Sequence, residues 1–163
     1  MLCAQFFRGR IARRSLPSQF YMQIRSFSSP DETAVIDLWQ RCDLTRSWND
    51  PHKDIQRKLT TQPELFFVGE INGKIVATVM AGFDGHRGWV NYLAVDPAHR
   101  RDGIGRSLMQ HVEKSLCARG CPKLNLQVRV TNREALAFYV RLGYAEDEVV
   151  SYGKRLIQDS AAA

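Results

Sequence analysis

A twenty-residue stretch, WVNYLAVDPAHRRDGIGRSL at residues 89–108, constrains the fold more than any other part of the chain. Residues 89–95 are apolar, aromatic and β-branched, the composition of a strand. Pro97 ends ladder pairing because it has no N–H to donate, and a basic loop follows at His99, Arg100, Arg101 and Asp102. Beyond Gly103 and Gly105 the period changes. Ile104, Leu108, Val112 and Leu116 recur every four residues, the stripe of an amphipathic helix. A strand, a glycine loop and a helix start in succession make an anion site. The first N–H groups of a helix lack intrahelical partners, and the helix dipole favours negative charge there. Glycine lets that backbone approach a phosphate with no Cβ in the way. Arg100, Arg101 and Arg106 add positive charge at the same spot, so the stretch reads as a phosphate cradle.

Two other glycine-loop families fit poorly. No G-x-x-x-x-G-K-[ST] string occurs. The dinucleotide fingerprint G-x-G-x-x-G has Leu108 in place of its third glycine, and residues 125–130 hold no carboxylate for a ribose. Arg100-x-x-Gly103-x-Gly105 instead resembles the [QR]-x-x-G-x-[GA] pyrophosphate loop of the GNAT superfamily, the acetyl-CoA-dependent N-acetyltransferases. Leu93-Ala94-Val95-Asp96-Pro97 is similar to the strand that leads into that loop. A second block, Asn132-Arg133-Glu134-Ala135-Leu136-Ala137-Phe138-Tyr139 followed by Leu142-Gly143-Tyr144, resembles the family's other cofactor motif. The resemblance covers about residues 22–156. Within the superfamily it is nearest to the small bacterial acetyltransferases of the YpeA type, through Trp48-Asn49-Asp50-Pro51 and the segment from Gly82 through Asp84, His86 and Gly88.

At 163 residues the chain is one domain's worth, long enough to bury a core. Composition is that of a globular protein, 44% hydrophobic and 25% charged, and no apolar run reaches membrane-spanning length, so no membrane partner is expected. The formal charge of +6 is concentrated at one end: residues 1–21 carry Arg8, Arg10, Arg13 and Arg14 and no acid. The remainder holds 19 basic against 17 acidic residues, too even for a nucleic-acid partner. Cys3, Cys42, Cys117 and Cys121 make no metal-ligand pattern, so free thiols in a reducing compartment and no metal are expected. Residues 1–21 have the composition of a mitochondrial transit peptide, or are a basic, disordered extension before Met22. The expected domains are therefore 1–21, the extension, and 22–163, the folded unit. The expected location is the cytoplasm, or the mitochondrion if the extension is a leader.

Along the chain, 22–27 alternates as a strand, and Ser28 through Glu32 opens a helix that carries Val35, Ile36, Leu38, Trp39 and Cys42. A second helix is expected at 54–59. Between the two, Trp48, Asn49, Asp50 and His52 lie in a loop fit for a substrate or, equally, for turn chemistry. Strands at 65–71 and 74–81 join through Asn72-Gly73, a hairpin signal, and a polar turn at Asp84 and His86 precedes the 89–95 strand. His86 is a catalytic candidate or a solvated turn residue. The helix from Gly103 ends at Arg119-Gly120; a strand at 123–130, a helix capped by Asn132, and strands at 144–150 and 151–156 complete the order β-α-α-β-β-β-α-β-α-β-β. That is an α+β pattern. The resemblance implies a GNAT fold, with a mixed, mostly antiparallel sheet of about seven strands, helices on both faces and a splay between the fourth and fifth strands.

The resemblance further implies acetyl transfer from acetyl-CoA to a primary amine by direct attack in a ternary complex. The acceptor would be a small molecule or a protein or peptide amine, and the enzyme a monomer or homodimer. Backbone groups from Arg101, Asp102, Gly103, Ile104, Gly105 and Arg106, with Arg100, would hold the pyrophosphate. Leu93, Ala94 and Val95 would face the pantetheine arm, and Asn132 would contact the cofactor unless it serves only as a cap. Tyr139 stands where the family places the acid that protonates the departing thiolate, although its spacing from Ala135 and Leu142 also suits a core residue. Trp48, Asn49, Asp50, Asp84 and His86 are candidates for the acceptor side. Glu70, Asp84, His86 and Tyr92 are candidate general bases that spacing does not separate. A non-catalytic acyl-CoA sensor on the same fold is the competing reading.

Overall fold

The computed structural model describes residues 22–159; the extension at 1–21 lies outside the described residues. Period-two patterning builds the sheet. Strands β1 (Gln23–Ser26), β2 (Phe66–Ile71), β3 (Lys74–Phe83), β4 (Gly88–Val95) and β5 (Leu124–Leu126) lie side by side in sequence order. Among the first four each strand is antiparallel to its neighbour, and β5 runs parallel to β4. Asn72 and Gly73, both at positive φ, make the tight turn between β2 and β3.

Helices cover both faces. On β2, Phe66 and Val68 point to one face, where they pack with Val35, Leu38 and Trp39 of α1 (Glu32–Arg41) and Ile55 of α2 (Pro51–Leu59). Phe67 points to the other, where Leu108, Met109, Val112 and Leu116 of α3 (Ile104–Cys117) bury their stripe. Phe138, Tyr139 and Leu142 join that second core from α4 (Arg133–Arg141) and the residue after it. The helix ends follow side-chain chemistry. Asp50 accepts from the backbone of His52 at 2.9 Å with Pro51 in the first turn, so α2 begins three residues earlier than the expected 54. Asn132 Oδ1 accepts from the Ala135 N–H at 3.1 Å to start α4. Gly120, at φ +77, closes α3 as Cys121 N–H returns to Leu116 O at 3.1 Å.

The expected seven strands are five among the described residues. Strand 123–130 shortens to Leu124–Leu126, and neither 144–150 nor 151–156 joins a ladder. β5 pairs with β4 only at Gly88↔Leu124, Trp89↔Asn125 and Val90↔Leu126, after which the two backbones part. A strand needs a partner edge, and three residues of β5 offer little to add to. The last segment is tethered by polar contacts instead: Lys123 to Asp147 at 2.7 Å, Gln127 to Ser151, Arg155 to Asn49 at 2.8 Å, and Asp159 to Arg57. Val149, Val150, Tyr152, Leu156 and Ile157 are consequently exposed.

Candidate active site

β4 is held by an irregularity that its sequence hides. Thr78 pairs with Ala94, but Met80 pairs with Asn91, so β4 carries one extra residue at Tyr92 and Leu93. Tyr92 has φ +51, a conformation that costs a non-glycine residue energy and persists only if its surroundings enforce it. They do. Trp39 Nε1 donates to Thr78 Oγ1 at 2.9 Å, and that hydroxyl donates to Tyr92 O at 3.0 Å; Thr78 and Trp39 are fully buried. The Tyr92 ring stacks on Trp39 at 4.0 Å, and its hydroxyl donates to Asp54 at 2.6 Å. Burial and that carboxylate both push the Tyr92 phenol well above its ordinary range. The bulge turns β4 where β5 leaves it, and so opens the sheet.

Beyond the end of β4, Asp96 caps a short turn through the Ala98 N–H at 2.9 Å and pairs with Arg41 at 2.9 Å. Those contacts, the backbone bond first, hold its carboxyl below the usual range. The chain then twists through two positive-φ residues, Arg101 at +73 and Gly103 at +81, into α3. The first intrahelical bond is Ser107 N to Gly103 O at 3.0 Å, which leaves the amides of Ile104, Gly105 and Arg106 without helical acceptors. They border a cavity of about 670 Å³, together with five arginines (Arg100, Arg101, Arg106, Arg133, Arg141) and a single acid, Glu134. This donor set fits a diphosphate, by orphan amides, helix dipole and guanidinium charge together. The two glycines serve different ends. A Cβ on Gly103 would meet nothing within 4 Å, so its requirement is the backbone angle; a Cβ on Gly105 would come within 3.1 Å of the Phe138 ring, so its requirement is the approach of α4.

A second cavity, about 690 Å³, fills the splay, between residues 90–93 of β4 and residues 126–131, which start at the last residue of β5. The two cavities share Cys42, Leu44, Leu93, Asn132, Ala135 and Tyr139. Tyr139 therefore sits where the loop-side cavity meets the splay. Its ring packs edge-on against Phe138 and Tyr144, and burial pushes its phenol up to about 12. It holds its proton at neutral pH. Cys42 Sγ donates to Val95 O at 3.3 Å, and burial pushes its thiol up.

The structure thus brings Leu93, Ala94, Val95, Arg100, Arg101, Gly103, Ile104, Gly105, Arg106, Asn132 and Tyr139 to one cleft. Asp102 lies in the same loop, but its side chain faces His99 at 4.0 Å rather than the cavity. The acceptor-side candidates lie elsewhere. Asp84 caps the β3–β4 turn through the His86 and Arg87 N–H groups at 2.7 and 2.6 Å, bonds that lower its carboxyl below the usual range. That turn is at the start of β4, about 23 Å of strand from the glycine loop. Asp84 and His86 line neither cavity. Asp50 is the α2 cap, Asn49 bonds Arg155, and Trp48 is half exposed; none lines the cleft. Glu70, on β2, is paired at 3.0 Å with Arg25 of β1, the edge strand on the far side of the sheet. Of the four candidate bases only Tyr92 reaches the cleft. Cys42, Leu44, Arg46, Arg129, Arg133 and Arg141 line it without any spacing signal, because three separate segments converge there.

The description "Acetyltransferase (GNAT) family" matches residues 33–144 of the chain. The chain is 51% identical over 138 residues to the acetyltransferase ECA0875 of Pectobacterium atrosepticum, covering 85% of this chain and 98% of that one. Among solved structures it resembles the ribosomal-protein-S18-alanine N-acetyltransferase of Escherichia coli (30% identical, TM-score 0.66, 78% of this chain and 79% of that one). It also resembles Ard1 of Thermoplasma volcanium (27% identical, TM-score 0.69, 76% and 82%). With the family match spanning residues 33–144 and a half-identical relative covered almost end to end, the chain belongs to the GNAT acetyltransferases, acyltransferases that use acetyl-CoA.

Proposed function

We propose that this chain moves an acetyl group from acetyl-CoA to a primary amine by direct attack in a ternary complex, with residues 22–163 as the catalytic domain. Membership of the small bacterial group of the YpeA type rests on the Trp48-Asn49-Asp50-Pro51 and Gly82-to-Gly88 segments. One observation carries the reading: the anion-binding cavity and the splay meet at Leu93 and Tyr139. A donor bound by its diphosphate at one end and an acceptor entering at the other would be in contact there.

Acetyl-CoA supplies the activated acyl carbon. The amides of Ile104, Gly105 and Arg106, with Arg100, Arg101 and the 101–103 backbone, hold the diphosphate. Leu93, Ala94 and Val95 lie beyond the last β4–β5 pair, so their backbone on that edge is free to bond an extended arm. Asn132 stands at the rim of both cavities while capping α4. A backbone N–H at the bulge would hold the carbonyl oxygen as charge develops. As the amine nitrogen bonds the acyl carbon and the C–S bond breaks, Tyr139 gives its hydroxyl proton to the sulfur. Burial raises the basicity of a thiolate formed in the cleft, as it raises Tyr139 itself, and so keeps the transfer from being steeply uphill. The ammonium formed on the acceptor loses its proton to solvent, and the phenolate is reprotonated.

Calorimetric titration of acetyl-CoA into the full chain tests the first half of the proposal. Binding at micromolar level that Gly103→Glu abolishes is the expected result. CoA release with an amine panel tests the second half. Tight binding with no turnover on any amine would make the protein an acyl-CoA sensor.

A further inference from the structure

Resting on the acetyl-transfer reading, we infer that the acceptor is an α-amine with a carboxylate close beside it, bound in its unprotonated form between β4 and the 126–131 segment. An amine must shed its proton before it can attack, and the splay offers nothing to take it. Six ionisable or nucleophilic side chains face this cavity: Cys42, Asp43 and Arg46 from the end of α1 and the loop after it, Tyr92 from β4, Arg129 from the segment after β5, and Tyr139 from α4. Asp43 is the one carboxylate among them, and Arg46 grips both its oxygens at 2.9 and 3.3 Å. The Tyr92 hydroxyl is committed as a donor to Asp54 at 2.6 Å, and Asp54, itself held by Arg57 at 3.0 Å, does not line the cavity. Burial keeps both tyrosines protonated. No histidine lines the space.

A splay whose own lining holds no free base favours an amine that is already partly neutral; His99 and Glu134 line the loop-side cavity instead. The terminal α-amino group of a peptide titrates near 7.7–8.0 and a lysine side chain near 10.4, so at pH 7 the neutral fraction differs by roughly 300-fold. The cleft's own charge acts in the same direction. Two guanidinium groups stand against one paired carboxylate, and the Arg129 side chain makes no hydrogen bond or ion pair with any described residue. Positive charge lowers the pKa of a bound amine and repels a polycation, and a free guanidinium is a bidentate site for a carboxylate. Polyamines and aminoglycosides, which need several carboxylates around them, are the wrong shape of charge for this cleft.

The test is CoA release by the full chain with acetyl-CoA and a matched acceptor panel. The panel holds a peptide beginning with Asp or Glu, the same peptide with Lys in place of the acid, an N-terminally blocked peptide bearing only a lysine amine, free glutamate, spermidine and an aminoglycoside. The acidic α-amine is expected to exceed its Lys counterpart in kcat/KM by about 10-fold, the scale of one charged hydrogen-bonded contact, and the blocked peptide by more. The peptide and free-glutamate arms tell whether the carboxylate belongs to a protein terminus or to a small molecule. Arg129→Glu should reduce kcat/KM for acidic acceptors by about 10-fold or more while leaving acetyl-CoA affinity unchanged, and Arg129→Lys should retain part of it. The pH profile of kcat/KM should rise through the pKa of each acceptor and shift with it. Preference for spermidine, an aminoglycoside or the lysine amine, or an inflection fixed at one pH for every acceptor, would overturn the inference while leaving acetyl transfer intact. Acetyl-CoA binding with no turnover on any arm would overturn both.

Discussion

At the scale of single residues, the glycine loop was the most legible part of the chain, yet its two glycines turned out to be there for different reasons. Gly103 needs its positive φ, whereas Gly105 makes room for Phe138, a contact between segments more than thirty residues apart that no local pattern announces. Gly103→Ala should therefore cost about 1 kcal/mol from backbone strain alone. Gly105→Ala should cost a similar amount unless Phe138 is also made smaller, and thermal denaturation of Gly105→Ala with and without Phe138→Leu would show that coupling. Tyr139 was legible only through a motif, since its spacing also suits a core residue, and in the fold it both packs on the core and lines the meeting of the two cavities. Tyr139→Phe keeps the ring packing and removes the proton. CoA release by this variant should fall by about 10²-fold, with acetyl-CoA affinity unchanged by calorimetry. Because the phenol stays protonated up to about pH 12, wild-type activity should show no alkaline decline attributable to Tyr139 between pH 8 and 10. Unaltered turnover in Tyr139→Phe would remove it from the chemistry.

At the scale of elements, strands and helices that form on their own periodicity were placed within a few residues, while features that depend on a partner were not. The β4 bulge has no signature in the run from Trp89 to Val95, because it is set by the pairing with β3 and by side chains on two other elements. Thr78, on β3, looks like an ordinary strand threonine. In the fold it links Trp39 of α1 to the bulge carbonyl of Tyr92, with no exposure to water. Thr78→Val preserves shape and β-branching but leaves an indole N–H and a carbonyl without partners, each costing about 1–3 kcal/mol when buried. We expect a clear loss of stability in urea, and a fall in kcat larger than the change in acetyl-CoA affinity if the bulge positions the reacting groups. Thr78→Ser, which keeps the hydroxyl, should restore both. A kcat that stays normal in Thr78→Val would separate the bulge lock from catalysis and leave it a packing device.

At the scale of the whole molecule, the order of the first nine elements and the antiparallel meander could be read from apolar patterning, because each element buries its own stripe against the sheet, whereas the layering of helices on both faces came from the family resemblance. The end of the chain could not. Alternation at 144–156 says that a strand is possible there, but pairing requires a neighbour's edge, and β5 is paired for only three residues. Long-range charge was equally hidden, and it ties the first strand to the rest. Arg25 on β1 binds Asp31, the residue that caps the turn before α1, at 2.7 and 2.8 Å, and Glu70 on β2 at 3.0 Å. The Arg25 guanidinium first, and then the Ser28 backbone and hydroxyl, hold the Asp31 carboxyl at about 2 against an ordinary 3.8. A carboxyl whose folded pKa is depressed binds its proton more weakly in the native state than in the unfolded chain. Its contribution is therefore complete above about pH 4 and is lost as pH falls towards 2. For this well-buried side chain the contribution is about 2 kcal/mol, a sizeable part of the 5–15 kcal/mol typical of a domain. Asp31→Asn should lower the unfolding free energy from urea titration at pH 7 by that margin, and the gap between wild type and variant should close between pH 4 and pH 2. A gap that persists unchanged at pH 2 would mean that Asp31 stabilises the molecule through the shape of its cap rather than through its charge.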